Sequence, residues 1–198
     1  MKGNSDFCIV AVGKIEDYQD NEVLPLYIKN KLPTLTNQQV INQKKAGYGL
    51  LRQLIKESIG FDEDFSTIYL TPNGKPICDE YYFSISHTNE VVAVAFSNTN
   101  IGIDIELLDD NKNLDALGKR ILHKNEQTLS LISKSEILKL WVKKEGKFKF
   151  DGGKIFIPNN IDTNSFETMT ELITYDNKNY WLCVVTNQGR VDIKNKLI

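Results

Sequence analysis

The stretch at residues 91–106, VVAVAFSNTNIGIDIE, decides how this chain is organised. Its first part, residues 91–97, is an apolar run of strand length. Its last part, residues 101–106, alternates isoleucine with glycine or acidic residues, which is typical of a strand with two different faces. Asn98, Thr99 and Asn100 between them are turn formers. The stretch therefore predicts two consecutive strands joined by a tight turn near the middle of the 198-residue chain.

The same patterns recur on both sides of this turn. Further strands are predicted at residues 7–12, 68–70, 82–86, 168–175 and 180–186. Helical spacing of apolar residues predicts helices at residues 37–59, 114–122, 125–132 and 134–150. The order of strand, helices and strands thus occurs twice. We expect an α+β fold made of two halves, residues 1–99 and 100–198, which pack closely because no low-complexity linker separates them.

Composition and charge exclude several classes of protein. The chain has 24 Lys and Arg against 26 Asp and Glu, a net charge of −2, which argues against a protein that binds nucleic-acid backbones. No apolar run approaches the roughly 20 residues that a membrane-spanning helix needs, and the N-terminus lacks a signal-peptide pattern. Cys8, Cys78 and Cys183 lie far apart in the sequence. We therefore expect a cytoplasmic protein with reduced thiols.

The strand at residues 101–106 carries the first candidate site. Because side chains alternate along a strand, Asp104 and Glu106 project from one face and the isoleucines from the other. Two carboxylates together with substrate phosphates are a usual environment for Mg²⁺, and Gly102 on the same face leaves room for a ligand to approach the backbone. An ordinary amphipathic strand with a solvated acidic face has the same pattern.

The helix at residues 134–150 carries the second candidate site. Trp141, Glu145 and Lys149 are spaced four residues apart, so they share one face of the helix. A carboxylate there can bind a metal or accept a proton, while the lysine one turn further on neutralises a phosphate. An ordinary salt bridge has the same spacing. Gly146 favours a special role for this helix, because a glycine inside a helix costs about 1 kcal/mol relative to alanine.

A third candidate site combines a turn with the end of a strand. The turn contains Gly74, Lys75 and Pro76, where Asn-Gly supplies a positive φ angle and proline fixes the direction of the chain. Ser86 and His87 end the strand that follows, a position where hydroxyl and imidazole donors can contact an anion. A Ser-His pair that only stabilises a turn is the alternative.

In this order and spacing, the three segments resemble the 4'-phosphopantetheinyl transferases of the Sfp-like type, which activate carrier proteins. The resemblance covers residues from about 40 to 187. The chain departs from the family pattern in the helix, where Val142 and Gly146 replace a hydroxyl residue and a serine or alanine. An arginine that family members carry in the first long helix is also absent from the matching stretch.

The resemblance implies a pseudo-dimeric α+β monomer whose two halves enclose coenzyme A and Mg²⁺ at their junction. It also implies transfer of the 4'-phosphopantetheine arm of coenzyme A to a serine of an acyl or peptidyl carrier protein, with release of 3',5'-ADP. Asp104, Glu106 and Glu145 would bind Mg²⁺. Glu145 would also accept the serine proton, and Lys149 would stabilise the departing oxygen of 3',5'-ADP.

Residues that contact coenzyme A follow from the same resemblance. Ser86 and His87 would hold one of its phosphates, and Gly74, Lys75 and Pro76 would line its adenine.

Three lysines are candidates to replace the missing arginine. Lys31, Lys44 and Lys45 are the candidates for holding the 3'-phosphate, although the two helix lysines could equally be solvated. Glu126 matches a family glutamate that follows the first helix of the second half, and it is expected near the metal as a helper.

Two other functions remain open at this stage. A metal-dependent phosphodiesterase or nuclease could use an Asp-x-Glu pair with a later glutamate and lysine, but those enzymes commonly place the last two on a strand. A non-catalytic homologue that only binds carrier proteins is the other alternative, because of the substitutions at Val142 and Gly146.

Overall fold

The computed structural model describes residues 7–20, 22–109, 114–129, 133–187 and 192–193. The helices are α1 (Leu26–Lys29), α2 (Gln38–Ile59), α3 (Leu114–Ile121) and α4 (Lys134–Asp151). The strands are β1 (Cys8–Lys14), β2 (Tyr69–Leu70), β3 (Pro76–Ile77), β4 (Tyr82–Thr88), β5 (Val91–Ser97), β6 (Ile101–Leu107), β7 (Met169–Tyr175), β8 (Lys178–Thr186) and β9 (Asp192–Ile193). Helices combined with mainly antiparallel strands confirm the α+β class.

The first sheet has the strand order β4-β5-β1-β9 and carries α2 on its outer face. The helix begins after Asn37, whose side chain accepts hydrogen bonds from the first free N–H groups, as an N-cap residue does. It ends at Gly60, whose positive φ of 74° confirms the predicted C-cap. The apolar face of α2 packs on the β5 residues that point outward, namely Val92, Val94 and Phe96.

The second sheet has the strand order β6-β8-β7 and carries α4 on its outer face, and α3 packs against α4. In both sheets, the strand that precedes the long helix pairs with the second strand of the hairpin that follows it: β1 with β5, and β6 with β8. The inner faces of the two sheets share one core, which joins strands β1 and β5 to strands β6 and β8. The topology of β1, α2, β4 and β5 is therefore repeated by β6, α4, β7 and β8.

Three hydroxyl groups connect β4 to β6 where the two sheets meet. Ser84 and Ser86 accept hydrogen bonds from the β6 amides of Ile103 and Ile105, at 3.1 and 3.4 Å. Thr88 does the same one step further along the strand, accepting from Leu107 N–H at 3.5 Å. Side-chain oxygens thus accept the hydrogen bonds of the N–H groups at the edge of β6, where a neighbouring strand would otherwise supply backbone carbonyl oxygens. This contact fixes the position of the acidic strand against the first sheet.

The glycines of β6 and α4 allow these two elements to approach closely. A Cβ atom on Gly102 would lie 2.1 Å from the carbonyl oxygen of Gly146 and 2.5 Å from the amide nitrogen of Phe150. A Cβ atom on Gly146 would lie 3.3 Å from Val185 and 3.4 Å from Cys183, both in β8. The expectation that Gly102 leaves room for a ligand was wrong, because the backbone of α4 occupies that space. The tight packing of α4 against β8 gives the glycine inside the helix its physical reason.

Other differences from the sequence-based predictions are small. The segment predicted as a helix at 125–132 forms a 3₁₀ helix at Lys124–Leu129, and residues 130–132 lie outside the described part of the chain. Strands β3 and β9 were not predicted; β9 pairs in parallel with β1. Within the described residues, none of the helices has the length and apolar character needed to cross a membrane.

Candidate active site

Asp104 of β6, Lys149 of α4 and Ser86 of β4 meet at the junction of the two sheets. The Nζ atom of Lys149 lies 2.7 Å from Oδ1 of Asp104 and 2.9 Å from Oγ of Ser86. The Ser86 hydroxyl donates to the same carboxylate oxygen at 2.7 Å. Asp104 is only 5% exposed. It does not lie on a solvated acidic face, and this pairing places the last turn of α4 directly over β6.

Glu145 lies close to both carboxylates of β6. Burial and then the negative charge of Asp104 raise its pKa to about 7, and Glu106 contributes in the same direction. The positive charge of Lys149 opposes this rise. Among the described residues, no salt bridge joins Glu145 to Lys149, since the lysine is paired with Asp104. The ordinary helical salt bridge considered from the spacing is therefore not the arrangement in the structure.

Asp104, Glu106 and Glu145 lie near one another without forming a closed metal site. Within the described part of the chain, no three His, Cys, Asp or Glu side chains converge into a complete metal site. Glu106 accepts a hydrogen bond from the Thr88 hydroxyl at 3.0 Å, and Asp104 is occupied by Lys149 and Ser86. Mg²⁺ is commonly held by one or two carboxylates plus substrate phosphates rather than by a closed protein cage. The three carboxylates fit that mode of binding.

A cavity of about 630 Å³ opens beside this cluster. Its wall combines cationic groups with apolar and aromatic ones, and none of the described residues that line it is acidic. The basic side chains are those of Lys31, Lys44, Lys75, His87, Lys149 and Lys154. The apolar and aromatic side chains include Tyr27, Ile28, Tyr48, Leu70, Phe83, Ile85 and Phe148. Such a wall is suited to a ligand that has both an aromatic ring and several negative charges.

The sequence-predicted coenzyme A residues divide into three groups. Lys31, Lys44, Gly74, Lys75, Pro76 and His87 line the cavity. Ser86 points to the opposite side of β4, toward Asp104. Lys45 is not among the residues that line the cavity, because it is one position further around α2 than Lys44.

Two lysines affect the titration of His87. Partial burial lowers its pKa from the ordinary value of 6.5, and the charges of Lys149 and Lys44 lower it further. The imidazole is therefore neutral at neutral pH in the absence of a ligand. An anion in the cavity would oppose the effect of the two lysines, so His87 could then carry a proton and donate from both ring nitrogens.

Lys75 uses its ammonium group within the protein. Its Nζ atom donates to Oδ1 of Asn100 at 2.8 Å and to the carbonyl oxygen of Phe150 at 3.0 Å. Only the stem of its side chain is then left to face the cavity. Burial lowers the pKa of this lysine.

Glu126 forms a buried ion pair with Lys144, and neither side chain is exposed. Oε2 of Glu126 accepts from Lys144 Nζ at 2.8 Å and from the amide of His123 at 2.9 Å. Oε1 accepts from the amide and the hydroxyl of Thr163, at 2.8 and 2.6 Å. Lys144 also donates to the carbonyl oxygen of Ile161. Each oxygen of the Glu126 carboxylate thus accepts two hydrogen bonds. Through Lys144, which directly precedes Glu145, Glu126 fixes this part of α4.

Sequence reasoning missed two features of the site. The hydroxyl groups of Ser84, Ser86 and Thr88 occur at every second position of β4, a pattern that could have indicated a polar stripe facing a neighbouring strand. The hydroxyl groups of Tyr27 and Tyr48 hydrogen bond to each other at 2.6 Å in the cavity wall. No local pattern connects these two tyrosines, because they come together only when α1 packs beside α2.

Comparison with known proteins gives one informative match. No protein-family model matches the chain. The chain is similar to the 4'-phosphopantetheinyl transferase gsp of Aneurinibacillus migulanus, with 36% identity over a 107-residue alignment that covers 48% of this chain and 44% of the relative. The match thus spans less than half of the relative's length. This similarity agrees with the resemblance seen in the sequence motifs.

Proposed function

We propose that this chain transfers the 4'-phosphopantetheine arm of coenzyme A to a serine hydroxyl of an acyl or peptidyl carrier protein and releases 3',5'-ADP. The observation that carries the proposal is the cationic cavity with an aromatic wall, which opens beside Asp104, Glu145 and Lys149. Coenzyme A has the matching chemistry, an adenine ring with a 3'-phosphate and a pyrophosphate. The match to a relative named as a 4'-phosphopantetheinyl transferase supports the same reaction.

The repeated topology supports the pseudo-dimeric fold of this family. Each half would supply one part of the site: the first half, residues 1–99, most of the cavity, and the second half, residues 100–198, the carboxylates and α4. Because one chain then supplies both parts, we propose a monomer. All three cysteines are buried, and we propose a reducing compartment such as the cytoplasm, where buried thiols persist.

Asp104, Glu106 and Glu145 would hold Mg²⁺ together with oxygens of the pyrophosphate. The ion would offset negative charge on the pyrophosphate during transfer. Glu145, with a pKa of about 7 before a ligand binds, is poised to accept the proton of the attacking serine, directly or through water. In the transfer, the serine oxygen forms a bond to the phosphorus that carries the pantetheine arm. The bond between that phosphorus and the bridging oxygen breaks, and the electron pair leaves with 3',5'-ADP.

Lys149 lies where its ammonium can stabilise the negative charge of the leaving phosphate oxygen. Its ammonium already contacts Asp104 and Ser86, and it also lines the cavity, so it lies between the carboxylates and the proposed site of coenzyme A. A cation at that point would stabilise the leaving phosphate oxygen in a partly desolvated site.

A mass-shift assay tests the proposed reaction directly. An apo carrier protein incubated with this protein, coenzyme A and Mg²⁺ should gain the mass of one phosphopantetheine group, and an equal amount of 3',5'-ADP should be released. A carrier protein whose acceptor serine is replaced by alanine serves as the control. Binding of the carrier without a gain in mass would favour the non-catalytic homologue, and cleavage of coenzyme A without transfer would favour the phosphodiesterase.

Lys44 is expected to contact the 3'-phosphate. Replacing Lys44 with methionine should weaken the binding of coenzyme A about 10- to 100-fold, since a charge-assisted hydrogen bond contributes about 1.5–3 kcal/mol. The binding of dephospho-coenzyme A, which lacks this phosphate, should hardly change. Isothermal titration calorimetry with both ligands measures the difference.

Lys45→Met provides the matched control. It removes the same charge from the neighbouring position of α2, and Lys45 does not line the cavity. Lys45→Met should weaken both ligands slightly and equally. Equal losses for both ligands in the Lys44→Met variant would exclude Lys44 from the phosphate site and leave Lys31 as the candidate.

A further inference from the structure

We propose that Lys75 is a positioning residue: with Asn100 it clamps the C-terminal end of α4 and so holds Lys149 in place for the reaction. This inference rests on the proposed function and changes the expected role of Lys75 from a ligand contact to a contact between the two halves of the chain. Three observations support it: the hydrogen bonds at the end of α4, the rigid turn that carries Lys75, and the position of Lys149 next to the clamped carbonyl group.

The last turn of a helix leaves four carbonyl groups without partners inside the helix. One of these belongs to Phe150, and its oxygen accepts from Lys75 Nζ at 3.0 Å and from Asn100 Nδ2 at 2.8 Å. The ammonium of Lys75 also donates to Oδ1 of Asn100 at 2.8 Å. The three groups therefore form a closed hydrogen-bonded triangle. A cation bound there also lies at the negative end of the helix dipole, which is a favourable location.

The turn that carries Lys75 is held firmly. The amide of Lys75 donates to the hydroxyl of Thr71 at 3.0 Å, and the amide of Thr71 donates back to the carbonyl of Lys75 at 2.9 Å. Asn73 of the same turn donates to the carbonyl of Gly152 at 3.1 Å. A Cβ atom on Gly152 would lie 3.1 Å from Cδ of Lys75, so the lysine stem passes close over the helix C-cap. The turn and the helix end thus fit together at several points.

The clamp acts on the residue next to Lys149. Because Lys149 and Phe150 are consecutive, a displacement of the Phe150 carbonyl moves the backbone that positions the Lys149 ammonium against Asp104 and Ser86. A displacement of about 1 Å at a reacting group can lower a rate about 100-fold. Lys75 also lines the cavity, so a ligand bound there would contact the same turn that holds the helix. The burial that lowers the pKa of Lys75 agrees with an ammonium directed into the protein.

Three variants separate a clamp from a ligand contact. Lys75→Met removes the ammonium but keeps the stem, and Asn100→Ala removes the second donor without changing a cavity-lining residue. Lys154→Met is the matched control, because Lys154 lines the same cavity and no hydrogen bond to α4 is found for it among the described residues. The three variants are compared by steady-state kinetics with a saturating carrier protein. Lys75→Met and Asn100→Ala should each lower kcat about tenfold or more. Their KM for coenzyme A should stay near that of Lys154→Met. The double variant should be no slower than the slower single variant.

Amide hydrogen exchange provides a readout that does not require activity. The amides of Gly152 and Gly153 donate to the carbonyls of Lys149 and Phe148, so they report on the end of the helix. Their exchange should be faster by about tenfold or more in Lys75→Met and Asn100→Ala, and unchanged in Lys154→Met. If the parent protein transfers nothing, the proposed function fails while this measurement still tests the clamp. If Lys75→Met does not fold, Asn100→Ala alone decides.

Two results would overturn the clamp. One is an increase in KM for coenzyme A with Lys75→Met that exceeds the increase with Lys154→Met, while kcat stays at the parental value; Lys75 would then be a ligand contact. The other is unchanged exchange at Gly152 and Gly153 in both Lys75→Met and Asn100→Ala.

Discussion

Replacing Lys144 with methionine is expected to lower the free energy of unfolding by about 3–5 kcal/mol, because it leaves the buried carboxylate of Glu126 without its cation. Neither side chain of this pair is exposed, so water cannot take the place of the lost partner. The amides of His123 and Thr163 would remain as donors to the carboxylate, but they are neutral and do not compensate its charge. Urea denaturation of the parent and the variant measures the difference.

Lys56→Met is the matched control for this measurement. Lys56 is also a helix lysine in an ion pair, with Asp62 at 3.7 Å, but its side chain is 62% exposed. Exposed pairs contribute about 0–1 kcal/mol, so this variant should unfold almost like the parent.

In a Glu126→Gln, Lys144→Met double variant, the loss of unfolding free energy should be smaller than the sum of the two single losses, since neither charge is then left unpaired. If Lys144→Met lowered the free energy of unfolding only as much as Lys56→Met does, the buried pair would not stabilise the fold as expected.

The pair also bears on the role expected for Glu126 from the resemblance. A glutamate was expected near the metal as a helper, and the structure places its carboxylate on Lys144, Thr163 and the His123 amide. Lys144 precedes Glu145 in the sequence but points to a different side of the helix, as consecutive helix residues do. The proposed contribution of Glu126 to catalysis is therefore indirect: it holds the backbone from which Glu145 projects.

Local patterns in the sequence predicted most of the fold because each depends on neighbouring residues. The alternation at residues 101–106 predicted β6, and the capping residues Asn37 and Gly60 mark the observed limits of α2. What the patterns could not provide was the partner of each outward-facing group. Asp104 was expected to face a ligand, but its partners Ser86 and Lys149 lie 18 and 45 residues away. Contacts between residues so far apart in the sequence depend on how the two sheets and α4 pack. No regular spacing in a single sequence indicates them.

The glycines illustrate the same limit. Gly102 and Gly146 were each recognised as unusual, one for the space it leaves and the other for its cost inside a helix. The structure shows that both lie where α4 packs on the second sheet, Gly102 against the backbone of α4 and Gly146 against Cys183 and Val185 of β8. Any larger side chain on Gly102 would collide with the backbone of α4, which would move Glu145 and Lys149 away from Asp104. Two separate local irregularities in the sequence thus had a common tertiary cause.

Replacing Glu145 with glutamine is expected to lower the rate of transfer by at least about 100-fold, the contribution typical of a general base. The amide keeps the size and one acceptor oxygen, but it cannot take a proton from serine and it binds Mg²⁺ more weakly. The fold should tolerate the change, because burial and the charges of Asp104 and Glu106 already disfavour the ionised form of Glu145 and raise its pKa to about 7. Single-turnover rates at saturating coenzyme A and Mg²⁺, together with melting temperatures, measure both effects.

Glu136→Gln is the control for this experiment, since Glu136 is an acidic residue in the first turn of the same helix, and its side chain is 50% exposed. It should keep the parental rate. Lys149→Met should also lower the rate, but with a loss of stability that Glu145→Gln does not show, because Asp104 is 5% exposed and would lose its cation. If Glu145 were only a structural side chain, Glu145→Gln would keep the parental rate and change the melting temperature. A rate near that of Glu136→Gln would therefore remove Glu145 from the reaction and require another base at the junction of β4, β6 and α4.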